Sequence, residues 1–219
     1  KLALTAKVNL FYKLFNIKFF LDNESTNLNE IFQKFLNYSN INTKISNYDF
    51  LKNKTDNKFS SKIPIKGYLH IHLDEKWFSN ICIQKYTDMN PSFDDFIKFL
   101  EKIYQKNDIL ITTGLIDFSL IDDLKSKYFT KVNDKIFIKK NGDKSIYLVY
   151  KPLFEDLESL LRNSKTLIAC HGAITHAANS FNVKKLDILE KSKANFYNRF
   201  TSYLTDYHAI YRSNFNSVK

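Results

Sequence analysis

Cysteine, methionine and arginine are scarce in this sequence, and long apolar runs are missing. Two of its 219 residues are cysteines, Cys82 and Cys170, which are too few and too far apart for a disulfide framework. A reducing, cytoplasmic compartment is therefore expected. No stretch of about eighteen apolar residues is free of charge, which argues against a transmembrane helix. Met89 is the single methionine and the chain opens at Lys1, so we expect the sequence to be part of a longer protein.

The positive charge lacks the pattern of a protein that recognises nucleic-acid bases. The formal net charge is +10, but only three of the 33 basic residues are arginines, namely Arg162, Arg199 and Arg212. The lysines are spread along the whole chain, as in a solvated surface, and no arginine cluster is available for bidentate contacts to bases. We therefore expect no nucleic-acid partner. With 44% hydrophobic and 16% aromatic residues, the chain can bury a sizeable core.

Glycine is also rare, so the positions of the four glycines are informative. Gly67 opens an alternating run that is typical of a strand. The pair Asn141-Gly142 lies between two alternating runs and predicts a β-hairpin. The remaining two, Gly114 and Gly172, each end an apolar run that is followed by a helical pattern.

From residue 67 onward, strands and helices alternate at the spacing of parallel βαβ units. Ser92 is expected to cap one of the helices, with Asp95 in the capping-box position. The pattern predicts an α/β fold with a Rossmann-like, mostly parallel, doubly wound sheet. The predicted strands are 67–73, 108–113, 135–140, 145–150, 166–170 and 185–189, and the predicted helices are about 92–105, 117–127, 153–163, 173–181 and 191–212.

Residues 1–62 follow a different pattern. The segment 2–15 is apolar and predicts a helix, 28–38 predicts a second, amphipathic helix, and 39–62 is polar and is interpreted as a linker. A basic amphipathic helix at 2–15 can contact a membrane surface. Packing against a neighbouring domain is favoured, because helices of globular proteins commonly carry a stripe of apolar side chains on one face. We therefore expect 1–62 to be a partial helical N-terminal segment, the tail of a missing domain followed by a linker.

Residues 170–178 form the richest candidate site. A predicted strand ends where this segment begins, a loop contains Gly172, and a helix begins near Ala173. Ligands of doubly wound sheets bind outside the carboxyl ends of the strands, and free N–H groups at a helix start bind anions. Thr175 adds a hydroxyl, and His176 adds a proton donor one turn into the helix. The alternative is an ordinary helix start with His176 in the packed interface.

Four histidines offer a different interpretation, a metal site. His70 and His72 share one face of a predicted strand, and His171 and His176 lie at the end of another. Neighbouring strands would bring the four side chains together, and imidazole is a ligand that suits zinc. No cysteine or carboxylate pattern completes a known metal-site spacing, so the metal site is the less favoured interpretation.

Three stretches resemble the C-terminal, donor-binding half of GT-B glycosyltransferases, and most closely the heptosyltransferase family (glycosyltransferase family nine). Residues 154–178 are similar to its helix L-x-E-L-x-x-L-L, the strand that follows, and its motif D-[ST]-G-x-x-H-x-A-A. Residues 108–114 resemble its V-V-L-x-G-G strand. The pair Lys76-Trp77 resembles its K-x-W element, shortened by one residue. The resemblance covers about residues 65–190.

The resemblance implies a role for each matched residue. The start of the helix would cradle the diphosphate of a nucleotide-sugar, Lys76 would neutralise it, and Asp117 would lie near the ribose. Two positions depart from the family motif, which has Asp where this chain has His171 and Gly where it has Ala173. The donor-binding residues implied by the resemblance are Lys76, Gly114, Asp117, His171, Gly172, Ala173, Ile174, Thr175 and His176.

The family implies an inverting glycosyltransferase that uses a nucleotide-sugar donor and needs neither a metal nor a cofactor. Its acceptor would be a glycan or a lipid-linked molecule, as in lipopolysaccharide or glycan biosynthesis, in the cytoplasm or at the inner face of the membrane. The family's catalytic base lies in its N-terminal half, so none is assigned here. The implied domains are 63–190 for nucleotide-sugar binding and 191–219 as a C-terminal helix. A non-catalytic nucleotide-binding module is the alternative.

Overall fold

The computed structural model describes residues 2–5, 18–21, 28–41, 51, 54–78, 86–213 and 215. The chain divides into two compact units. The smaller unit contains Lys1–Asn47 and Ser192–Tyr203, and the larger unit contains Tyr48–Lys191 and Leu204–Lys219. Within the described ranges, no helix has both the length and the apolar character that crossing a bilayer requires.

The secondary structure comprises strands, α-helices and short turns of 3₁₀ or π-helix. The strands are β1 (Leu2–Thr5), β2 (Lys18–Leu21), β3 (Tyr68–Leu73), β4 (Ile109–Thr113), β5 (Thr130–Lys131), β6 (Ile136–Asn141), β7 (Lys144–Val149), β8 (Ser164–Cys170), β9 (Lys184–Leu189) and β10 (Tyr207–Tyr211). The α-helices are α1 (Leu28–Tyr38), α2 (Phe93–Tyr104), α3 (Ser119–Asp123), α4 (Phe154–Leu161), α5 (Ala173–Ser180) and α6 (Ala194–Thr201).

In its described residues, the smaller unit contains a pair of short strands and two helices. β1 pairs with β2 in parallel, and α1 spans the residues for which the sequence predicts an amphipathic helix, so that prediction is confirmed. The helix predicted at 2–15 is wrong at its start, because residues 2–5 form β1. A four-residue apolar run fits a strand as well as a helix, and pairing with β2 decides between them. Residues 6–15 lie outside the described residues.

The larger unit is built on an eight-stranded sheet of order β10-β9-β8-β3-β4-β7-β6-β5. Its neighbouring strands are parallel except for the pairs β5–β6 and β6–β7. The parallel strands, numbered along the chain, run in the order 3-2-1-4-5-6 from β7 to β10, which is the order of the Rossmann fold. The predicted doubly wound sheet is therefore confirmed, and its topological switch point lies between β3 and β8.

Alternation along the strands divides the core of the larger unit into two layers. Ile71 and Leu73 of β3 belong to one cluster with Phe96 and Leu100 of α2. The other face of the sheet is covered by α4 and α5, as a doubly wound fold requires. The cluster on that side contains Leu157, Leu161, Leu167, Ala169, Ile174 and Ala177.

The start of α2 confirms Ser92 as the predicted N-cap residue, with Asp95 as its partner. The N–H of Asp95 donates to the Oγ of Ser92 at 3.1 Å, and the Ser92 hydroxyl donates to the Asp95 carboxylate at 2.8 Å. The cap satisfies one of the N–H groups that a helix start leaves without an intrahelical acceptor.

The single long helix predicted at 191–212 is wrong. α6 ends at Thr201, and β10 follows as an edge strand parallel to β9. Asp206 has a φ of 44°, which interrupts any helix, and Tyr207 and Tyr211 are of a residue type that favours strands. Pairing with β9 satisfies the backbone of β10, and the helical periodicity of the sequence gives no sign of this partner.

Residues 54–62, which the sequence assigns to a linker, pack on α4. The amide of Asn57 donates to Asp156 at 3.0 Å, and the N–H of Ser60 donates to the hydroxyl of Ser159 at 3.0 Å. The polar side chains that suggest a linker are therefore hydrogen-bond partners of a helix.

The predicted hairpin is confirmed, with its turn one residue later than expected. Asn141 pairs with Lys144, so the two loop residues are Gly142 and Asp143. Gly142 has a φ of 65° at the first loop position, as a type II′ turn requires. From this turn β7 enters the sheet beside β4.

Replacing Gly142 by alanine should lower the free energy of unfolding by roughly 1–2 kcal/mol, because an L-residue is strained at positive φ. Asp143 is exposed and has an ordinary φ, so Asp143→Ala is the matched control. It should change the free energy by less than about 0.5 kcal/mol. Urea unfolding followed by circular dichroism measures both variants, and equal losses would contradict the turn described above.

Candidate functional site

The carboxyl ends of β3 and β8 frame an open cavity of about 400 Å³ at the switch point. The loop after β3 supplies charged side chains to it, and the segment after β8 supplies a glycine and the start of α5. Sheets of this strand order bind their ligands at this place. The lining residues are His72, Asp74, Glu75, Lys76, Thr113, Gly114, Leu115, Ile116, Pro152, Phe154, Leu157, Gly172, Ala173 and Ile174.

Lys76 bridges the two strands of the switch point. Its Nζ donates to the carbonyl of His171, just beyond β8, at 3.0 Å, and lies 3.3 Å from Oδ2 of Asp74. Burial acts to lower the pKa of Lys76, but the carboxylates of Asp74 and Glu75 outweigh it and the pKa is raised. The ammonium therefore remains charged at neutral pH and gives the cavity a fixed positive group.

Two buried side chains fix the turn that carries Lys76. Trp77 is 1% exposed, and its Nε1 donates to the carbonyl of His72 at 2.9 Å. Arg212, directly after β10, donates from Nη1 to the carbonyl of Lys76 and from Nε to the carbonyl of Thr87 at 2.8 Å. The main chain of Lys76 is thus anchored, while its ammonium reaches the cavity.

The start of α5 lies against the Lys76 ammonium. Gly172 is the N-cap residue, and no side chain caps the helix there. A Cβ at Gly172 would lie 2.6 Å from Lys76 Nζ, so the absence of a side chain leaves this space to the ammonium. The N–H groups of Ala173 and Ile174 belong to the first turn, where a helix supplies no acceptor, and the helix dipole adds positive potential. This arrangement is suited to an anion.

Gly114 lets the loops after β3 and β4 approach each other closely. Its N–H donates to the carbonyl of Leu73 at 2.8 Å. A Cβ at Gly114 would lie 3.0 Å from the Cβ and 3.2 Å from the Cα of Asp74. The glycine therefore allows Asp74 to stand at the cavity wall, and Gly114 itself borders the cavity as the sequence predicts.

Asp74 is a residue of the site that the sequence analysis missed. Its side chain is buried, and its Oδ1 accepts the N–H of Lys76 at 3.1 Å. Burial raises the pKa of Asp74 to about 6, although the positive charge of Lys76 opposes this shift. The available signal was its position directly after a strand of the parallel sheet, where ligand sites occur.

A second missed carboxylate, Asp187 of β9, supports α5 from below the cavity wall. The Thr175 hydroxyl donates to its Oδ1 at 3.0 Å, His171 Nδ1 lies 2.6 Å from its Oδ2, and the Tyr207 hydroxyl donates to Oδ2 at 3.1 Å. The rings of His171 and His176 are in edge-to-face contact, with 5.1 Å between their centroids. Burial lowers the pKa of His176 to about 4. The side chains predicted at 171, 175 and 176 therefore hold the helix and do not line the cavity.

Asp117 follows the lining residue Ile116 but is not itself among the residues that line the cavity. Its carboxylate accepts hydrogen bonds from Lys151 Nζ at 2.6 Å and from the Tyr150 hydroxyl at 2.7 Å. These bonds lower the pKa of Asp117. The structure therefore brings Lys76, Gly114 and the start of α5 together at the cavity. Asp117, which was predicted near the ribose, is not part of this group.

The four histidines considered as a metal site form two separate pairs. His70 Nε2 and His72 Nδ1 lie 2.8 and 2.9 Å from the hydroxyl oxygen of Thr112, whereas His171 and His176 contact each other. In the part of the chain that the structure describes, no three side chains of histidine, cysteine, aspartate or glutamate are placed to hold a metal ion. The interpretation of a four-histidine metal site is therefore wrong.

The loops after β4 and β7 give the cavity an apolar side. Leu115 is 78% exposed, Ile116 is 44% exposed and Phe154 is 47% exposed, and all three border the cavity. The cavity thus combines a charged part with an apolar part. This combination suits a ligand that joins an anionic group to a planar, weakly polar one.

No protein-family model and no curated protein matches this chain. Among solved structures, the chain is similar to the bacterial iron-containing dodecameric glycosyltransferase TibC from enterotoxigenic E. coli H10407. The two sequences are 12% identical and the TM-score is 0.38. The similarity covers 69% of this chain and 33% of the TibC chain, so the chain spans about a third of that protein's length. A likeness this distant does not indicate an activity.

Alanine substitutions at the two glycines of the cavity should differ in their effect on stability. At Gly114 the new Cβ meets the main chain of Asp74, so the free energy of unfolding should fall by about 1–3 kcal/mol. At Gly172 the Cβ meets only the flexible end of Lys76, which can move away, so the fall should be less than about 1 kcal/mol. Urea unfolding measures both variants. A loss for Gly172→Ala as large as that for Gly114→Ala would contradict the described position of Lys76.

Proposed function

We propose that this chain is the donor-binding part of an inverting glycosyltransferase and that its cavity holds the diphosphate of a nucleotide-sugar. One observation supports the proposal most strongly. The Lys76 ammonium and the first turn of α5 meet at the switch point of a 3-2-1-4-5-6 sheet. Both are positive, and both lie where sheets of this kind bind phosphorylated ligands.

In this position the negative charge of the diphosphate would be compensated when the diphosphate departs from the sugar. As the glycosidic bond breaks, the bonding electrons move to the departing phosphate oxygen, where negative charge grows. Donors aimed at that oxygen stabilise the transition state more than the ground state. The helix dipole contributes about 0.3–1 kcal/mol, up to ~2 when partly buried, and each charge-assisted hydrogen bond contributes roughly 1.5–3 kcal/mol. Lys76 and the N–H groups of Ala173 and Ile174 are the proposed donors.

The remaining residues of the predicted set act less directly in this proposal. Gly172 leaves room for the Lys76 ammonium, and Gly114 admits Asp74. His171, Thr175 and His176 keep the start of α5 in place, two of them through Asp187. The position of Asp117 on the surface gives its predicted contact with the ribose no support.

The sugar-transfer part of the proposal depends on the motif residues. Lys76-Trp77 and the small residues at the start of α5 resemble those of the heptosyltransferase family, and both motifs border one cavity. The catalytic base and the acceptor site are proposed to lie outside this cavity, in an N-terminal domain. We propose a glycan or lipid-linked acceptor, no metal or cofactor, and a cytoplasmic location with a peripheral membrane contact.

Binding and turnover can be tested separately. Titration calorimetry of the chain with ADP, CDP, GDP and UDP tests whether the cavity takes a nucleoside diphosphate. Release of the same nucleotides from their sugar esters by the longest natural form of the protein tests transfer or hydrolysis. Binding with release supports the enzyme, and binding without release supports a non-catalytic nucleotide-binding module. Absence of binding to all four nucleotides would overturn the proposal.

Lys76→Met should weaken nucleoside diphosphate binding by roughly 10- to 150-fold, the equivalent of one charge-assisted hydrogen bond. Lys151→Met is the matched control, because it removes the same charge from a lysine that pairs with Asp117 and does not line the cavity. Titration calorimetry at low salt compares the two, since screening weakens both effects at high salt. Equal losses for the two variants would point to a general effect of charge and would count against the site.

The affinity for a nucleotide-sugar should rise by roughly three- to tenfold as the pH falls from 8 to 5. The pKa of Asp74 is about 6. Protonation below this value removes a negative charge beside the proposed diphosphate, so binding is coupled to proton uptake. Lys76, with a raised pKa, and His72, whose pKa is lowered to about 4, keep their charge states over this range.

A nucleotide-sugar is the correct probe for this pH dependence, because its diphosphate is esterified at both ends and keeps its charge near pH 6. Asp74→Asn retains an acceptor for the N–H of Lys76 and serves as the control. Calorimetry across the pH range should give a flat profile for this variant. An unchanged slope in Asp74→Asn would show that another group is responsible.

A further inference from the structure

His72 borders the same cavity, and diphosphate binding leaves it without a role. The residue is only 7% exposed, at the end of β3. One ring nitrogen, Nδ1, lies 2.9 Å from Thr112 Oγ1. The other, Nε2, has no hydrogen-bond partner among the residues that the structure describes. A polar atom that has no protein partner and belongs to a side chain lining a cavity is a candidate for contact with a ligand.

A chain of hydrogen bonds leads through the sheet to His72. The Ser164 hydroxyl donates to the carbonyl of Leu160 at 3.1 Å, so its oxygen accepts from Nδ1 of His70 at 3.2 Å. Burial lowers the pKa of His70 to about 3, so this ring is neutral and its Nε2 has no proton. The Thr112 hydroxyl, 2.8 Å away, therefore donates to His70 Nε2.

The only hydroxyl proton of Thr112 is used in this bond to His70. Thr112 Oγ1 can therefore only accept in its hydrogen bond with His72, and His72 Nδ1 is the donor. Burial and, to a smaller extent, the charge of Lys76 lower the pKa of His72 to about 4, so this ring is also neutral. A neutral imidazole carries one proton, which is here on Nδ1. Nε2 is left as an acceptor at the cavity wall.

We propose that Nε2 of His72 accepts a hydrogen bond from a hydroxyl of the donor sugar and so distinguishes a nucleotide-sugar from a bare nucleoside diphosphate. This inference rests on the proposed function. At about pH 8 the terminal phosphate of a bare nucleoside diphosphate is fully ionised and has no proton to donate to His72, whereas every free sugar hydroxyl has one. The cavity then divides into a part that donates, with Lys76 and the start of α5, and a part that accepts, with His72 and Asp74.

His72 is on this basis a specificity-determining residue and not a catalytic base. A general base works best when its pKa lies near the working pH. The pKa of His72 is about 4, so the ring is a poor proton acceptor at neutral pH although it still accepts hydrogen bonds.

Nitrogen-15 NMR of the histidine rings tests the tautomer without any ligand or substitution in the observed protein. The labelled chain should show His72 with a protonated Nδ1 and a bare Nε2, unchanged between about pH 5 and pH 8. The signal is identified by its loss in His72→Asn. A proton on Nε2, or a titration midpoint above about 6, would overturn the inference.

Calorimetry with paired ligands tests the contact itself. His72→Asn keeps an amide N–H near the position of Nδ1 but removes the acceptor at Nε2. It should weaken binding of the glucose ester of whichever of ADP, CDP, GDP or UDP the chain binds by about 2- to 12-fold, and binding of the bare nucleotide by less than about twofold. His72→Gln places an amide oxygen near the position of Nε2 and should restore part of the loss.

The outcomes separate this inference from the proposed function. Equal weakening of both ligands would indicate a structural role for His72 and overturn the inference, while nucleotide binding by the wild-type chain would leave the proposed function standing. Unchanged affinity for both ligands would overturn it in the same way. A wild-type chain that binds neither ligand would overturn both.

Discussion

The candidate site depends on the parallel pairing of β3 with β8. These are the first and fourth of the parallel strands, so the chain leaves them toward opposite sides of the sheet and a gap opens between the two loops. Lys76 bridges this gap, and α5 begins beside it. Because side chains alternate along a strand, a shift of β3 by one residue would turn His72 to the other face of the sheet and misplace Lys76.

Buried charge is the second constraint, since an ionised group removed from water requires partners. Lys76 and Asp74 satisfy each other in part, and their burial still leaves Asp74 with a raised pKa. Asp187 accepts from a helix and a strand, and Arg212 donates to main-chain carbonyls, one of them that of Lys76. β9 and the edge strand β10 contribute no residue to the cavity lining, but they and the residue after β10 supply the groups that hold its walls.

The glycines of the site leave the space that its charged residues occupy. Gly172 leaves space that the Lys76 ammonium fills, and Gly114 allows the main chain of Asp74 to come close. The result is a cavity with hydrogen-bond donors, acceptors and an apolar surface in separate places. The nucleotide-sugar proposed as the ligand is divided in the same way, into a nucleoside, a diphosphate and a sugar. In the proposed complex, His72 is the hydrogen-bond acceptor that links the nucleotide-sugar to a hydrogen-bond chain inside the sheet.

The local features could be predicted from the sequence: the alternation of strands and helices, the hairpin turn at Gly142, and the position of Lys76 and the segment after β8 at one edge of the sheet. These features are encoded in periodicity and in residue types that are adjacent along the chain. Three outcomes could not be predicted: 207–211 is a strand, Asp74 belongs to the site, and Asp117 does not line the cavity. Each of them depends on partners that are distant in sequence. Strand pairing with β9 and the ion pair of Asp117 with Lys151 leave no periodic or compositional trace.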